Sequence, residues 1–318
     1  MRILKNKLSN EVWELYQKTK EGLEEKSKKL EVILKRPHFS DGAAAYLQDK
    51  QGNYEIYVDP KYLKDFVFSH ELLHIDIKEN ASIPELITIE EGAGDTSRYI
   101  ALLHMDAVEH KWILAEQRRM GINGEKDYVQ EFFANLLEQE YKEAGSITGD
   151  FLLTGYLFSF MNDFPEHIEL CQKKLQDKYP VAAKNASEIV NDLPDLSSFT
   201  PYYLKRYIVK SINKWIELLS RDYLNCNFIR QDIIVPAVFR DIQLDVQAEA
   251  LIGIFGEMEK YFLYTLADYQ KCSPNYSPDK ISIEYIQDLI ATETVRAVFE
   301  ELELSYYLDN RDGTWSKG

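Results

Sequence analysis

The sequence predicts an α+β fold that is mostly α: a small β-hairpin near the N-terminus packed on a helix, followed by a large helical region. Two observations carry this prediction. Between Ala45 and Val58, the runs Ala45-Tyr46-Leu47 and Tyr54-Glu55-Ile56-Tyr57-Val58 flank a turn-rich stretch. Beyond Asn80, apolar residues recur at helical spacing and strand candidates are few. Size sets the scale, since 318 residues with 45% hydrophobic content suffice for one large domain or two ordinary ones.

The elements follow in order. Residues 8–34 carry an irregular apolar stripe through Val12, Leu15, Tyr16, Leu23, Leu30 and Val32 or Ile33, which predicts an amphipathic entry helix. Ala45-Tyr46-Leu47 and Tyr54-Glu55-Ile56-Tyr57-Val58 flank the segment Gln48 to Asn53, which contains Gly52, and together they predict a hairpin. Asp59 is a capping residue type and Pro60 suits the first helical position, so a helix is expected from Pro60 to Ile77. Ile83 to Ile89, with Pro84, reads as a linker. Gly92 and Gly94 mark a break before a helix from Asp95 to Met120, and Gly121 to Gly124 forms a turn. Further helices are expected at 126–144, 150–162, 165–178, 201–223, 227–264 with breaks near Pro236 and Gly253, and 281–305.

Composition excludes several classes of function. The net charge of −16 leaves dispersed basic residues among more numerous acids, which argues against nucleic acid and anionic membrane as partners. The charged N-terminal stretch lacks the apolar core of a signal peptide, and no later stretch approaches a membrane-spanning length without charges, so a soluble cytoplasmic protein is expected. Cys171, Cys226 and Cys272 are odd in number and widely spaced, which argues against a disulfide framework and against a cysteine-based zinc site.

The chemistry concentrates in residues 66–77, FVFSHELLHIDI. On a helix His70 and His74 are i and i+4, so their rings leave one face about a turn apart, the geometry for gripping one metal ion. Glu71 lies on the same turn, placed to hold a water rather than to act as a third ligand. A zinc ion lowers the pKa of such a water to about 7, and a neighbouring carboxylate can take its proton as it attacks a carbonyl. Three polar side chains among apolar neighbours are costly to bury unless something such as a metal pairs them. The pattern is HExxH, the signature of zinc metallopeptidases.

Catalytic zinc usually takes three protein ligands. In TSRYIALLHMDAVEHKWI, Leu102, Met105, Asp106, Glu109, Trp112 and Ile113 share a helix face, which sets two carboxylates into an apolar stripe. Glu109 as third ligand, with Asp106 receiving the free N–H of a liganding histidine, accounts for both. His110, beside Asp106, is an alternative third ligand or a donor to the oxyanion of the tetrahedral intermediate. His104, Glu90, Glu91 and His167 rank behind these.

A hairpin, an HExxH helix and a glutamate on a following helix resemble the gluzincin-type zinc peptidases. The run GAAAYLQDKQGNYEIYVDPKYLKDFVFSHELLHIDI is similar in layout to the IrrE/ImmA-type peptidases of bacteria and phages, over about residues 40–140. That resemblance implies His70 and His74 as zinc ligands, Glu71 as general base and Glu109 as third ligand. It also implies a peptide or protein substrate added as a strand along Ala43 to Leu47 or Tyr54 to Val58. Two departures stand out. Leu72-Leu73 fills positions where those enzymes usually carry a glycine, and their glutamate motif is best matched by EFFANLLEQ, which makes Glu131 a rival third ligand. The expected organisation is a zincin-like catalytic region at 1–145 and a helical region at 146–318 completing or covering the cleft, with 191–201 as a candidate boundary. The alternatives are an inactive zincin-like interaction protein with a structural metal site, and a metal-dependent hydrolase of a non-peptide bond.

Overall fold

The computed structural model describes residues 2–38, 43–138, 145–194, 196, 198–222, 226–257, 260–310 and 314–318. It is α+β and mostly helical, with several small sheets. The chain divides into two compact units, one of Met1–Ile83 with Glu109–Tyr141, the other of Pro84–Val108 with Lys142–Gly318.

The first unit opens with α1 (Arg2–Lys7) and α2 (Asn10–Glu25). Ser9 caps α2 by accepting from the Val12 N–H at 3.4 Å, and Val12, Tyr16 and Leu23 turn inward. The single helix expected over 8–34 ends early. Ser27 takes a left-handed φ of 60°, and Leu30 to Ile33 form a strand, β1, running parallel to Tyr54–Val58. Leu30, Val32 and Ile33 fit a helical stripe and a strand equally well, so the backbone reversal at Ser27 decides between them.

The expected hairpin is present as β2 (Ala44–Gln48) and β3 (Tyr54–Val58), with Tyr46 opposite Ile56. The Asp49 carboxylate accepts from the N–H groups of Gln51 and Asn53 at 2.8 Å each and so builds the turn. The sheet order is β1-β3-β2, which buries Tyr54, Ile56 and Val58 of the central strand and leaves β2 at an edge.

Next comes the motif helix, α3 (Asp65–Asn80). It starts later than Pro60 because Asp59 serves a turn instead: its carboxylate accepts from Lys61 N–H at 2.9 Å and its carbonyl from Tyr62 N–H at 2.8 Å. Phe66, Phe68, Leu72, Leu73, Ile75 and Ile77 are all buried, so α3 is enclosed on nearly every side. Each such side chain contributes about 1.5–3 kcal/mol relative to exposure.

Helix α4 (Asp95–Arg119) belongs to this unit from Glu109 onward, and α5 (Glu125–Glu138) closes it. Buried Gln117 donates to the Phe66 carbonyl at 2.7 Å and to the Ser69 hydroxyl at 2.8 Å, which fixes the register of α4 on α3. In the turn before α5, Gly124 has φ +139° and a Cβ there would stand 2.6 Å from the Cβ of Phe66, so only glycine fits.

The second unit holds β4 (Thr88–Ile89), the first part of α4, and the helices α6 (Ile147–Asp163), α7 (Ile168–Leu175), α8 (Pro180–Asp192) and α9 (Pro201–Asp222). Helices α8 and α9, which flank the candidate boundary at 191–201, both belong to this unit. Phe151 and Phe158 stand edge-on to the buried Trp215 at 5.6 and 6.0 Å. Beyond them the expected helix over 227–264 is replaced by α10 (Phe228–Asp232), β5 (Ile233–Ile234), β6 (Ala237–Phe239), α11 (Asp241–Leu244), β7 (Ile252–Glu257) and β8 (Lys260–Thr265). The correction has a clear cause, since β7 and β8 alternate Ile252 and Ile254, Tyr261 and Leu263 toward the core with Phe255, Phe262 and Tyr264 away from it, a period of two.

The short strand β9 (Gln270–Lys271) completes that sheet. The helix expected over 281–305 is two, α12 (Ile283–Thr292) and α13 (Val295–Glu301), with Thr294 capping the second. Last come β10 (Tyr306–Asp309) and β11 (Trp315–Lys317). The three cysteines are buried and unpaired with one another. Among the described residues no helix is long and apolar enough to cross a membrane.

Candidate metal centre

The site is built on two helices of the first unit. Helix α3 presents His70, Glu71 and His74 because i, i+1 and i+4 lie on adjoining positions of one turn. Helix α4 brings Glu109 and His110 to the same place, two turns before the Gln117 pin that sets its register. The ligating atoms of His70, His74 and His110 all lie within 4.8 Å of one another, with His74 buried and the other two half-buried. The ring centroids of His70 and His110 are 4.7 Å apart and those of His74 and His110 5.3 Å apart.

The hydrogen bonds orient the lone pairs. Nδ1 of His74 lies 2.8 Å from a carboxylate oxygen of Glu109. An ionised carboxylate can only accept, so this contact places the imidazole proton on Nδ1 and leaves the lone pair on Nε2. That Nε2 faces Nε2 of His70 at 3.2 Å. Two nitrogens on one zinc at about 2.0–2.1 Å and a tetrahedral angle stand about 3.3–3.4 Å apart, so the observed spacing suits a shared ion. Burial, then the nearby His110 and His74, push the His70 pKa well below its ordinary value, which keeps its imidazole neutral and able to ligate. The three histidines lie close enough to hold a metal ion.

No protein-family model, curated protein or solved structure matches this chain.

The structure places the α4 residues differently from the expected arrangement. Glu109, expected as third ligand, meets the free ring N–H of His74, the position expected of Asp106. His110, an alternative third ligand in the sequence, stands in the histidine cluster. The reason is helix geometry: the residue after Glu109 is turned about 100° from it, so the carboxylate reaches the Nδ1 side of His74 while the imidazole reaches the cluster. Asp106 falls in the second unit's part of α4 and is half-buried. Glu71 is 8% exposed on the turn that joins the two α3 histidines.

The remaining expectations separate cleanly. His104 belongs to the core of the second unit, its Nδ1 2.5 Å from the Ile100 carbonyl and its ring 5.8 Å from Phe158, and burial pulls its pKa down to about 4. Glu90 is ion-paired with Lys271 at 2.7 Å, and Glu91 is exposed. Glu131 makes a surface pair with Lys64 at 3.5 Å. His167 lies beside Glu166, 3.9 Å away.

Sequence reasoning passed over one neighbour. Tyr46 of β2 packs its ring 5.7 Å from that of His74 at an interplanar angle of 33°. Its parity with Ile56, a buried residue of β3, was the available signal that it faces the helix. A separate cleft of 530 Å³, lined by Glu11, Leu15, Asp76, Trp112, Glu116 and Met120 among others, uses other faces of α2, α3 and α4 and includes none of the three histidines.

Proposed function

We propose that this chain is a zinc-dependent endopeptidase in which His70, His74 and His110 hold the ion and Glu71 is the general base. The observation that carries the reading is the convergence of three imidazoles beside a buried glutamate on the HExxH turn. All-nitrogen donor sets of this kind suit zinc. A bound zinc ion supplies a water of pKa near 7 and polarises the carbonyl under attack.

The chain's own groups do the rest. The Glu71 carboxylate takes a proton from the attacking water and delivers it to the leaving amine nitrogen as the C–N bond breaks, leaving a carboxylic acid and a free amine. Glu109 holds the proton of His74 on Nδ1, which fixes the tautomer that ligates through Nε2. Strand β2 lies at the edge of its sheet and packs on α3, so an extended peptide adding to it is the substrate geometry favoured here, in keeping with the resemblance to IrrE/ImmA-type peptidases.

Glu71→Gln tests the mechanism against a set of unstructured peptides. Hydrolysis is expected to fall by about 10²–10⁴ while the metal content stays unchanged. Metal retained with hydrolysis undiminished would overturn the role of Glu71.

A further inference from the structure

Two side chains beside His74, Tyr46 and Lys78, form an assembly that the proposed chemistry does not use. The Tyr46 ring covers one side of His74, and the ammonium of Lys78 sits 4.9 Å from the centroid of that ring. Lys78 is four residues after His74, so it projects from the same face of α3 one turn further on. Burial holds the Tyr46 phenol above its ordinary range; Lys78 acts in the opposite sense, and Glu109 and Glu71 are near enough to raise it further.

The strand that carries Tyr46 is itself tied to the end of α3. Gln48 donates to the Tyr54 hydroxyl at 2.8 Å, and that hydroxyl donates to Glu79 at 2.7 Å. Glu79 also accepts from Lys28 at 2.7 Å. The Tyr46 ring is thereby held against α3 by its strand rather than by its own contacts alone.

We propose that Tyr46, clamped by Lys78, is a positioning residue for the metal site: its ring sets the tilt of the His74 imidazole so that Nδ1 stays on Glu109 while Nε2 points at His70. An imidazole turns about two side-chain bonds, and the outer one is broad in its preferences. The Glu109 hydrogen bond holds the ring at one atom. A second contact, across the ring face, is needed to hold the plane, and Tyr46 supplies it. Without it the ring can rock, Nδ1 loses Glu109, and the freed carboxylate can enter the ligand set in place of an imidazole.

This inference rests on the metal reading, and its test separates the two. Zinc affinity is measured by competition with a chromogenic chelator, and the ligand set by the visible spectrum of the cobalt-substituted protein. Tyr46→Phe, which keeps the ring, is expected to retain the native affinity and spectrum. Tyr46→Leu, which keeps apolar bulk on a strand, is expected to bind zinc about tenfold more weakly and to show an altered cobalt spectrum, with its thermal transition close to native. Tyr46→Leu matching the native protein in both readouts overturns the positioning role. A native protein that binds neither zinc nor cobalt overturns the metal reading itself.

Discussion

Two polar clusters among the described residues, one in each unit, are built in contrasting ways. In the second unit the fully buried Lys271 has its ammonium 2.7 Å from each of the Glu90 carboxylate, the Gln231 carbonyl and the Asn275 side-chain oxygen. Its three N–H groups meet three acceptors, one of them a full counter-charge, so the cluster is closed. In the first unit three imidazoles of like character face one another, and the carboxylate that accompanies them sits on the far nitrogen of His74. A closed cluster is a structural pin. A cluster of three imidazoles whose ring nitrogens lie within 4.8 Å of one another is close enough to hold a metal ion.

The contrast can be broken first at the pin. Glu90→Ala leaves the Lys271 charge buried with two neutral acceptors, and the cost is expected to be about 3–5 kcal/mol of stability in the second unit, read as a lowered midpoint in urea. The same variant is expected to bind zinc as the native protein does. A Glu90→Ala protein of unchanged stability would show that the pair is not the pin described here.

His104 offers the next largest effect and distinguishes a core histidine from a ligand. Its pKa is pulled to about 4 in the folded protein, below the ordinary value of 6.5. Between those values the unfolded chain binds a proton that the folded chain does not, so the stability present above pH 6.5 drains away as pH falls toward 4, by about 3 kcal/mol in all. His104→Phe is expected to remove that acid-dependent loss without altering metal affinity. An unchanged slope of stability against pH would show that another group is responsible.

The helix carrying HELLH was legible because i, i+4 spacing dictates a shared face whatever the packing, and the hairpin before it because Tyr54, Ile56 and Val58 alternate with Glu55 and Tyr57 after a turn stretch containing Gly52. Other parts were not. Leu30 to Ile33 continue a helical stripe on paper, and only the left-handed Ser27 turns them into a parallel strand. Residues 233–265 contain runs of Ile, Val and aromatic residues too short to show which period they follow, and cross-strand partners decided in favour of strands. At the site, adjacency of Glu109 and His110 in sequence does not show that the helix turns the first toward Nδ1 of His74 and the second into the histidine cluster. Tyr46 was only half legible: hairpin parity with Ile56 gives its face, but its contact with His74 also depends on where α3 packs, which the sequence does not show.

The smallest of these effects concerns Glu109. Glu109→Gln keeps the size of the side chain and can still accept from Nδ1 of His74 through its amide oxygen, but loses the charge that strengthens the bond. Zinc affinity is expected to drop about tenfold, at the lower end of what outer partners contribute. A loss of several orders of magnitude would instead make Glu109 a direct ligand.

The central claim is that His70, His74 and His110 form one metal site, and a zinc titration of the native protein beside His110→Ala tests it most directly. The account predicts one tightly bound zinc per native chain and a far weaker complex in His110→Ala, with a deficit larger than that of Glu109→Gln. A native protein that takes up no stoichiometric zinc, or a His110→Ala protein that binds it as tightly as the native one, would contradict the account.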